Sequence, residues 1–173
     1  MAVSREKKEE ILSKLQKIVK DSISIVFVNF HSLPVTESSV VRKALREKGI
    51  GYTVAKKSLT RKAVSEGEFK GQMPEFPGEL GIVYLPRVDG QVKAGGTDSI
   101  EPARSVYEFQ KKLDKKIQIV GGVFEGKFMT KEEMLVIAQI PGLKTLQAQF
   151  VNLINSPIQR FVLALNEIAK AKV

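Results

Sequence analysis

Cysteine and tryptophan are absent from the 173 residues, and histidine occurs once, as His31. Without cysteine there is no disulfide scaffold, no thiol nucleophile and no Cys-based zinc site. The same absence fits a reducing compartment. A single histidine leaves little for acid–base catalysis. A Ser/His/Asp site would have to use His31, and no nucleophile-elbow pattern accompanies it. No pair of carboxylates stands out by its spacing, so the acidic residues read as surface charges and helix caps. The run Gly121-Gly122-Val123-Phe124-Glu125-Gly126 does not match G-x-G-x-x-G and no GK[ST] follows, so its glycines read as a bulge or tight turn. No apolar run approaches about 18 residues, which predicts that nothing spans a membrane. The opening residues, through Lys7 and Lys8, are charged from the start and have no apolar core of a signal peptide. Aromatic residues make up only 7% of the chain and are little interleaved with its basic residues, which argues against stacking on single-stranded bases.

Positive charge is what the chain has in excess. Twenty-eight Lys and Arg face 19 Asp and Glu, a net +9. Residues 1–70 hold 15 basic and 8 acidic side chains, residues 71–140 hold 9 and 10, and residues 141–173 hold 4 and 1. The anion-binding potential therefore sits mostly in the first segment. With 43% apolar residues the chain can bury a core. The expectation is a soluble, cytoplasmic, basic protein whose partner is anionic, most simply a nucleic acid.

Hydrophobic periodicity divides the chain into an α/β domain over residues 1–138, a hinge at 139–142 and a helical tail over 143–173. Ile11, Leu12, Leu15, Ile18 and Val19 form one face of a helix over residues 4–20, with Ser4 as its cap. Residues 22–30 are almost continuously apolar and β-branched, which predicts a central strand. Pro34 opens a second helix to about Lys48, with Val40, Val41, Ala44 and Leu45 inward and Gly49 as its stop. Residues 52–55 form a strand and residues 56–65 a short basic helix. A turn-rich stretch over residues 66–79 precedes a third strand at 80–85, and a polar loop occupies 86–97. Asp98 caps a helix to about Leu113. Residues 117–120 form a fourth strand that ends at Gly121-Gly122. Thr130 with Glu133 three residues later is a capping box for a helix to Ala138. The fold predicted is α/β, with a mixed central sheet of about four strands flanked by helices.

Lys56-Lys57-Ser58-Leu59-Thr60-Arg61-Lys62 is the densest basic run. It lies at a strand-to-helix junction, where backbone N–H groups of the helix start add to the side-chain charge and suit a phosphate. Arg5, Lys8, Arg42, Lys43 and Arg46 belong to the same basic segment. His31 sits just past the first strand, beside Asn29 and Ser32, all hydrogen-bonding types, and reads as part of an RNA-facing loop. The scarcity of aromatic residues points to folded RNA read by shape and backbone.

The tail has helical spacing throughout. Leu143, Leu146, Phe150, Leu153 and Ile154 form one apolar module, and Ile158, Phe161, Val162, Leu165, Ile168 and Ala169 a second. Pro157 separates them and predicts a kink near Asn155-Ser156. A helix of roughly 30 residues is on the order of 45 Å long, more than a domain this size needs for its own core. It reads as a projecting helix whose apolar face is finished by another chain.

Taken in order, several stretches resemble one family. They are Ser4-Arg5-Glu6-Lys7-Lys8, Val28-Asn29-Phe30-His31-Ser32-Leu33, Leu45-Arg46-Glu47-Lys48-Gly49 and Tyr52-Thr53-Val54-Ala55-Lys56-Lys57-Ser58-Leu59. Residues 98–109, the glycine run 121–126 and Ala138-Gln139-Ile140-Pro141 before the long helix complete the set. Across nearly the whole chain they are similar to the large-subunit ribosomal stalk-base proteins, the bacterial ribosomal protein L ten family. His31 and Ser32 stand where that family usually has Arg-Gly, Lys57 where it usually has Asn, and Pro34 where it usually has a capping Thr.

The resemblance implies a non-enzymatic ribosomal scaffold. Its first domain would bind 23S ribosomal RNA at the stalk base, beside a neighbouring stalk-base ribosomal protein, through Arg5, Lys8, Asn29, His31, Ser32, Arg42, Lys56, Lys57, Ser58 and Arg61. Its last helix would carry homodimers of the acidic stalk protein, which recruit translational GTPases. Two modules imply two dimers, or three if the turns past Leu165 also serve. The rival readings are an assembly paralogue on the same RNA without the stalk, a stand-alone RNA-binding module with a self-associating tail, and an α/β enzyme with an unrecognised site.

Overall fold

The computed structural model describes residues 5–31, 33–67, 69–87, 99–113 and 116–171. Ser4, Ser32, Asp98 and most of the 86–97 loop lie outside the described residues. The chain divides into two compact units, one ending at Ile140 and one beginning at Pro141.

In the first unit the elements are α1 (Arg5–Asp21), β1 (Ser22–Phe30), α2 (Val35–Glu47), β2 (Gly51–Val54), α3 (Lys57–Ser65), β3 (Leu80–Pro86), α4 (Glu101–Lys112), β4 (Ile117–Phe124), β5 (Lys127–Met129) and α5 (Lys131–Ala138). The strands form one sheet in the order β2-β3-β1-β4-β5. The apolar run expected at its centre is there, as β1. The sheet has five strands rather than about four, and each strand pairing is antiparallel rather than mixed. The reason is the position of β3. It inserts between β1 and β2, so two strands that run the same way never pair. With α2 and α4 as crossovers this is a split β-α-β arrangement.

Strand alternation supplies both faces of the sheet with core residues. Val26, Val28, Val83, Leu85, Ile117 and Ile119 pack with Val41 and Leu45 of α2, Val106 of α4 and Met134 of α5. Ile25, Phe27, Leu80, Ile82 and Val123 pack with Leu15 and Val19 of α1 and Ala63 and Val64 of α3. Phe76, from the turn-rich stretch, closes this second core edge-on to Phe27, with ring centroids 4.9 Å apart.

Along β4 the phase changes once. Phe27 pairs with Gly121 and Val28 with Ile119, so Val120 is an extra residue. This bulge moves odd-numbered positions from the α2 face to the α1 face. The glycines therefore mark a bulge, as expected, but the strand does not end there. It runs on to Phe124, because Gly121 and Gly122 still pair with β1. Glu125 and Gly126, both at positive φ, then turn the chain into β5, the hairpin geometry that favours a glycine.

Other boundaries follow their residues. Gly49 (φ 74°) ends α2. Val40, expected on the inner face of α2, is 63% exposed. Val41 and Leu45, one turn apart, own the buried stripe, and Val40 sits beyond its rim. Thr130 forms the expected capping box, its N–H donating to the Glu133 carboxylate over 2.8 Å. Pro34 and Lys56 occupy N-cap positions rather than the first helical turn, and the N-cap of α4 is Ile100.

The second unit is the single helix α6 (Leu143–Ala171), 29 residues long and continuous through Pro157. Proline has no N–H, so the Leu153 carbonyl loses its intrahelical donor there. No helix of the described residues is long and apolar enough to cross a membrane.

Candidate nucleic-acid interface

The strand directions bring one set of predicted residues to a common end of the sheet. β1 and β2 both finish there, at Phe30 and Val54, and β3 and β4 both begin there. Because α1 passes directly into the opposite end of β1, its own N-terminus returns to this end, with Arg5 and Lys8 on it. α3 starts here as well.

Lys8 and Lys14 of α1 and Lys56 before α3 line one cleft of about 550 Å³. Its floor is apolar, formed by Ile11, Leu15, Ile18 and Leu59, with Thr53 and Val54 of β2 along one side. At the start of α3, Lys56 is the N-cap. It makes no side-chain cap bond, and the first turn holds no acidic residue. The leading N–H groups of α3 therefore keep their positive end of the dipole uncompensated, beside the exposed Lys57 and Ser58. Such a terminus accepts an anion.

A second cleft, about 440 Å³, lies on the same face of the sheet. Asn29, Arg61 and Lys131 line it, together with Glu75 and Gln118. The Asn29 amide is packed against Gly78, where a Cβ would come within 2.6 Å of it. Its Oδ1 is buried and has no hydrogen-bond partner among the described residues. His31 is exposed just past β1, its N–H donating to the Lys116 carbonyl over 3.0 Å.

Arg42 stands apart from these groups. It lies on α2, on the other side of the sheet, with its guanidinium 5.3 Å from the centroid of the Tyr52 ring. With Arg46 it lines a third cleft, about 740 Å³, along β2. Burial pushes the Tyr52 phenol above its ordinary range, and the Arg42 charge and hydrogen bond oppose that shift.

The charges differ in how they are compensated. On the α4 side, Lys48 pairs with Glu101 at 3.2 Å, Arg104 with Glu101 at 2.7 Å and Lys116 with Glu37 at 3.2 Å. Among the described residues, Lys8, Lys14, Lys56, Lys57 and Arg61 form no ion pair. Their field is left for an outside anion.

Of the predicted RNA-contacting residues, Lys8 and Lys56 share one cleft with Lys57 and Ser58 at its helix start, and Asn29 and Arg61 share the next. Arg5 begins α1, and Ser32 lies outside the described residues. Two further lysines line the clefts and were not nominated from sequence. The sequence reading sets Lys14 off the apolar stripe of the first helix, yet its spacing, three residues past Ile11 and four before Ile18, brings it to the rim of that stripe and into the cleft. Lys131 was not, because it lies in a segment with no excess charge and is brought to the site by α5.

The other predicted set lies on α6. Leu143, Leu146, Phe150, Leu153, Ile154, Ile158, Phe161, Val162, Leu165 and Ile168 are all exposed, the least of them Leu146 at 39%. Val151 and Leu163 widen the apolar surface. One helix cannot bury its own stripe, so this face needs a covering surface. Among the described residues no group of three or more His, Asp or Glu could hold a metal ion.

The chain is similar to known proteins over most of its length. The family model for ribosomal protein L10 matches residues 3–94. Large ribosomal subunit protein uL10 of Bacillus licheniformis is 32% identical over 164 residues, covering 95% of this chain and 90% of the relative. The protein of the same name from Shouchella clausii is 30% identical over 167 residues, covering 96% and 94%. That from Lactobacillus acidophilus is 30% identical over 165 residues, covering 95% and 92%. The chain belongs to the ribosomal protein L10 family, whose members are structural proteins of the large ribosomal subunit and not enzymes.

Proposed function

We propose that this chain anchors the ribosomal stalk, with residues 1–138 bound to 23S ribosomal RNA at the stalk base and residues 143–173 carrying homodimers of the acidic stalk protein. Residues 139–142 join the two. The observation that carries the reading is the division of labour between the units. Uncompensated lysines gather at one end of a sheet, and a 29-residue helix exposes a continuous apolar face.

Each end has its own physics. Lys8, Lys14, Lys56 and Lys57 are compact charges that neutralise phosphates and release counterions. The N-terminus of α3 supplies oriented N–H donors to the same backbone. Asn29, His31, Ser58 and Arg61 border this surface with hydrogen-bonding groups, and a neighbouring stalk-base protein would share the RNA. On α6, Leu143 to Ile154 and Ile158 to Ile168 are two apolar modules, each suited to a helical partner's groove. Two modules give two dimers, and a third requires the turns past Leu165. The low acidic content of residues 141–173 favours an acidic partner.

The test is binding of the full chain to a 23S stalk-base RNA fragment over a series of salt concentrations. Log affinity should fall linearly with log salt, with a slope of several phosphate contacts at roughly 0.7–0.9 each. An affinity no greater than for an unrelated RNA of equal length would overturn the RNA assignment.

A further inference from the structure

The cleft under α1 and the cleft under α2 share Thr53 and Val54, so together they bracket the outer edge of β2. Among the described residues β2 pairs only with β3, and its other edge is open. Open edges are usually guarded by a charge, a proline or a covering segment. The opposite edge has such a guard. β5 begins with Lys127 and is covered by Lys70, whose N–H donates to the Gly126 carbonyl and whose carbonyl accepts from Phe128. β2 reads Gly-Tyr-Thr-Val, with no charge, and Val54 is 46% exposed.

We propose that the β2 edge is a docking site for an acidic polypeptide segment that adds as a further strand. Charge fits this occupant. Arg42 and Arg46 lie on one side of the edge and Lys8, Lys14 and Lys56 on the other, and neither cleft has a carboxylate among its lining residues. Side-chain alternation fits it too. Successive residues of an added strand point to opposite faces, one set toward the arginines and the other into the lysine-rimmed cleft. The apolar floor of that cleft separates a polypeptide from RNA. Ile11, Leu15, Ile18 and Leu59 give a phosphodiester nothing to bind, and no aromatic ring lines the cleft for a base. Apolar side chains of an added strand would contact this floor. The segment covers the cleft that Lys8 and Lys56 line, and the proposed RNA surface uses both lysines, so the two ligands exclude each other.

The experiment titrates the full chain with a hexapeptide of alternating glutamate and valine, followed by NMR and amide exchange. The control peptide has the same composition with the three glutamates in one block. The alternating peptide should slow exchange of amides within Gly51–Val54 and bind about tenfold tighter than the blocked one, and the double variant Arg42→Gln/Arg46→Gln should lose about tenfold. Equal affinity for both peptides without protection of β2 would reduce the effect to charge attraction and overturn the proposal, as would no binding. An RNA strand that protects the same amides and resists displacement by the peptide would give the edge to RNA. Peptide docking in a chain that fails to bind stalk-base RNA would sustain this proposal and remove the RNA reading.

Discussion

Lys8 on α1 and Lys56 at the N-cap of α3 line the same cleft, although a helix, two strands and most of the first segment separate them in sequence. The antiparallel return of α1 along β1 brings them together. Neither forms an ion pair among the described residues, so bringing them together costs repulsion that a bound phosphate relieves. Replacing Lys56 and Lys57 by Ala should weaken binding to the stalk-base RNA. The salt slope should flatten by about one unit per lost contact. Both residues are exposed, so stability should change little. An unchanged slope in a filter-binding series would remove them from the interface.

Gly122 is packed against Met134 in a way only glycine permits. A Cβ there would lie 2.1 Å from Met134 Cε and 2.5 Å from the Ile25 carbonyl oxygen. The methionine end can swing aside, but the strand carbonyl cannot. Gly122→Ala should therefore destabilise the first unit by about 1–3 kcal/mol, the range for overpacking a filled core. Urea unfolding would read this as a lower midpoint at unchanged slope.

Thr130 starts α5 with a reciprocal cap, and Thr130→Ala should cost about 1 kcal/mol of stability. The bonds from the Thr130 backbone N–H, and then from its hydroxyl, hold the Glu133 carboxyl below its ordinary 4.5. A lowered folded pKa makes the contribution present above the unfolded value and lost as pH falls through the folded one. The gap between wild type and variant should thus narrow in acid, measured as urea midpoints from neutral pH downward.

Tyr52 gives the opposite dependence. Its phenol is held above the ordinary 10.0 chiefly by burial, against the Arg42 charge and hydrogen bond, with Glu79 adding slightly. The unfolded chain releases this proton first as pH rises. The contribution is whole below the ordinary value and is lost as pH climbs through the raised one. Tyr52→Phe should flatten the alkaline arm of the stability profile, which denaturant melts across that range would record.

Much of this architecture was legible because its signals are local. The stripe from Ile11 to Val19, the β-branched run of β1, the Thr130–Glu133 box and the spacing of α6 are each complete within one segment. What escaped depends on pairing between distant segments. β5 is three residues long and exists only because the Glu125-Gly126 turn lays it on β4. The continuation of β4 past its glycines depends on β1 supplying partners. Val40 was misplaced because an apolar residue beside a stripe looks like part of it. In the site, the basic run at the start of α3 was visible in the sequence, whereas Lys131 reaches the Arg61 cleft only through tertiary structure.

Phe161 sits in the second apolar module of α6 and is 66% exposed, so Phe161→Asp leaves the first unit's core untouched. A charge in the middle of a docking stripe should release one stalk dimer and spare RNA binding. Native mass spectrometry of the chain co-expressed with the acidic stalk protein of the same genome measures this directly. The stalk-anchor reading predicts one chain with four partner copies, or six if the turns past Leu165 also serve, and one dimer fewer for Phe161→Asp. A chain that binds stalk-base RNA yet carries no partner, or the same occupancy in the variant, would contradict the role assigned to α6.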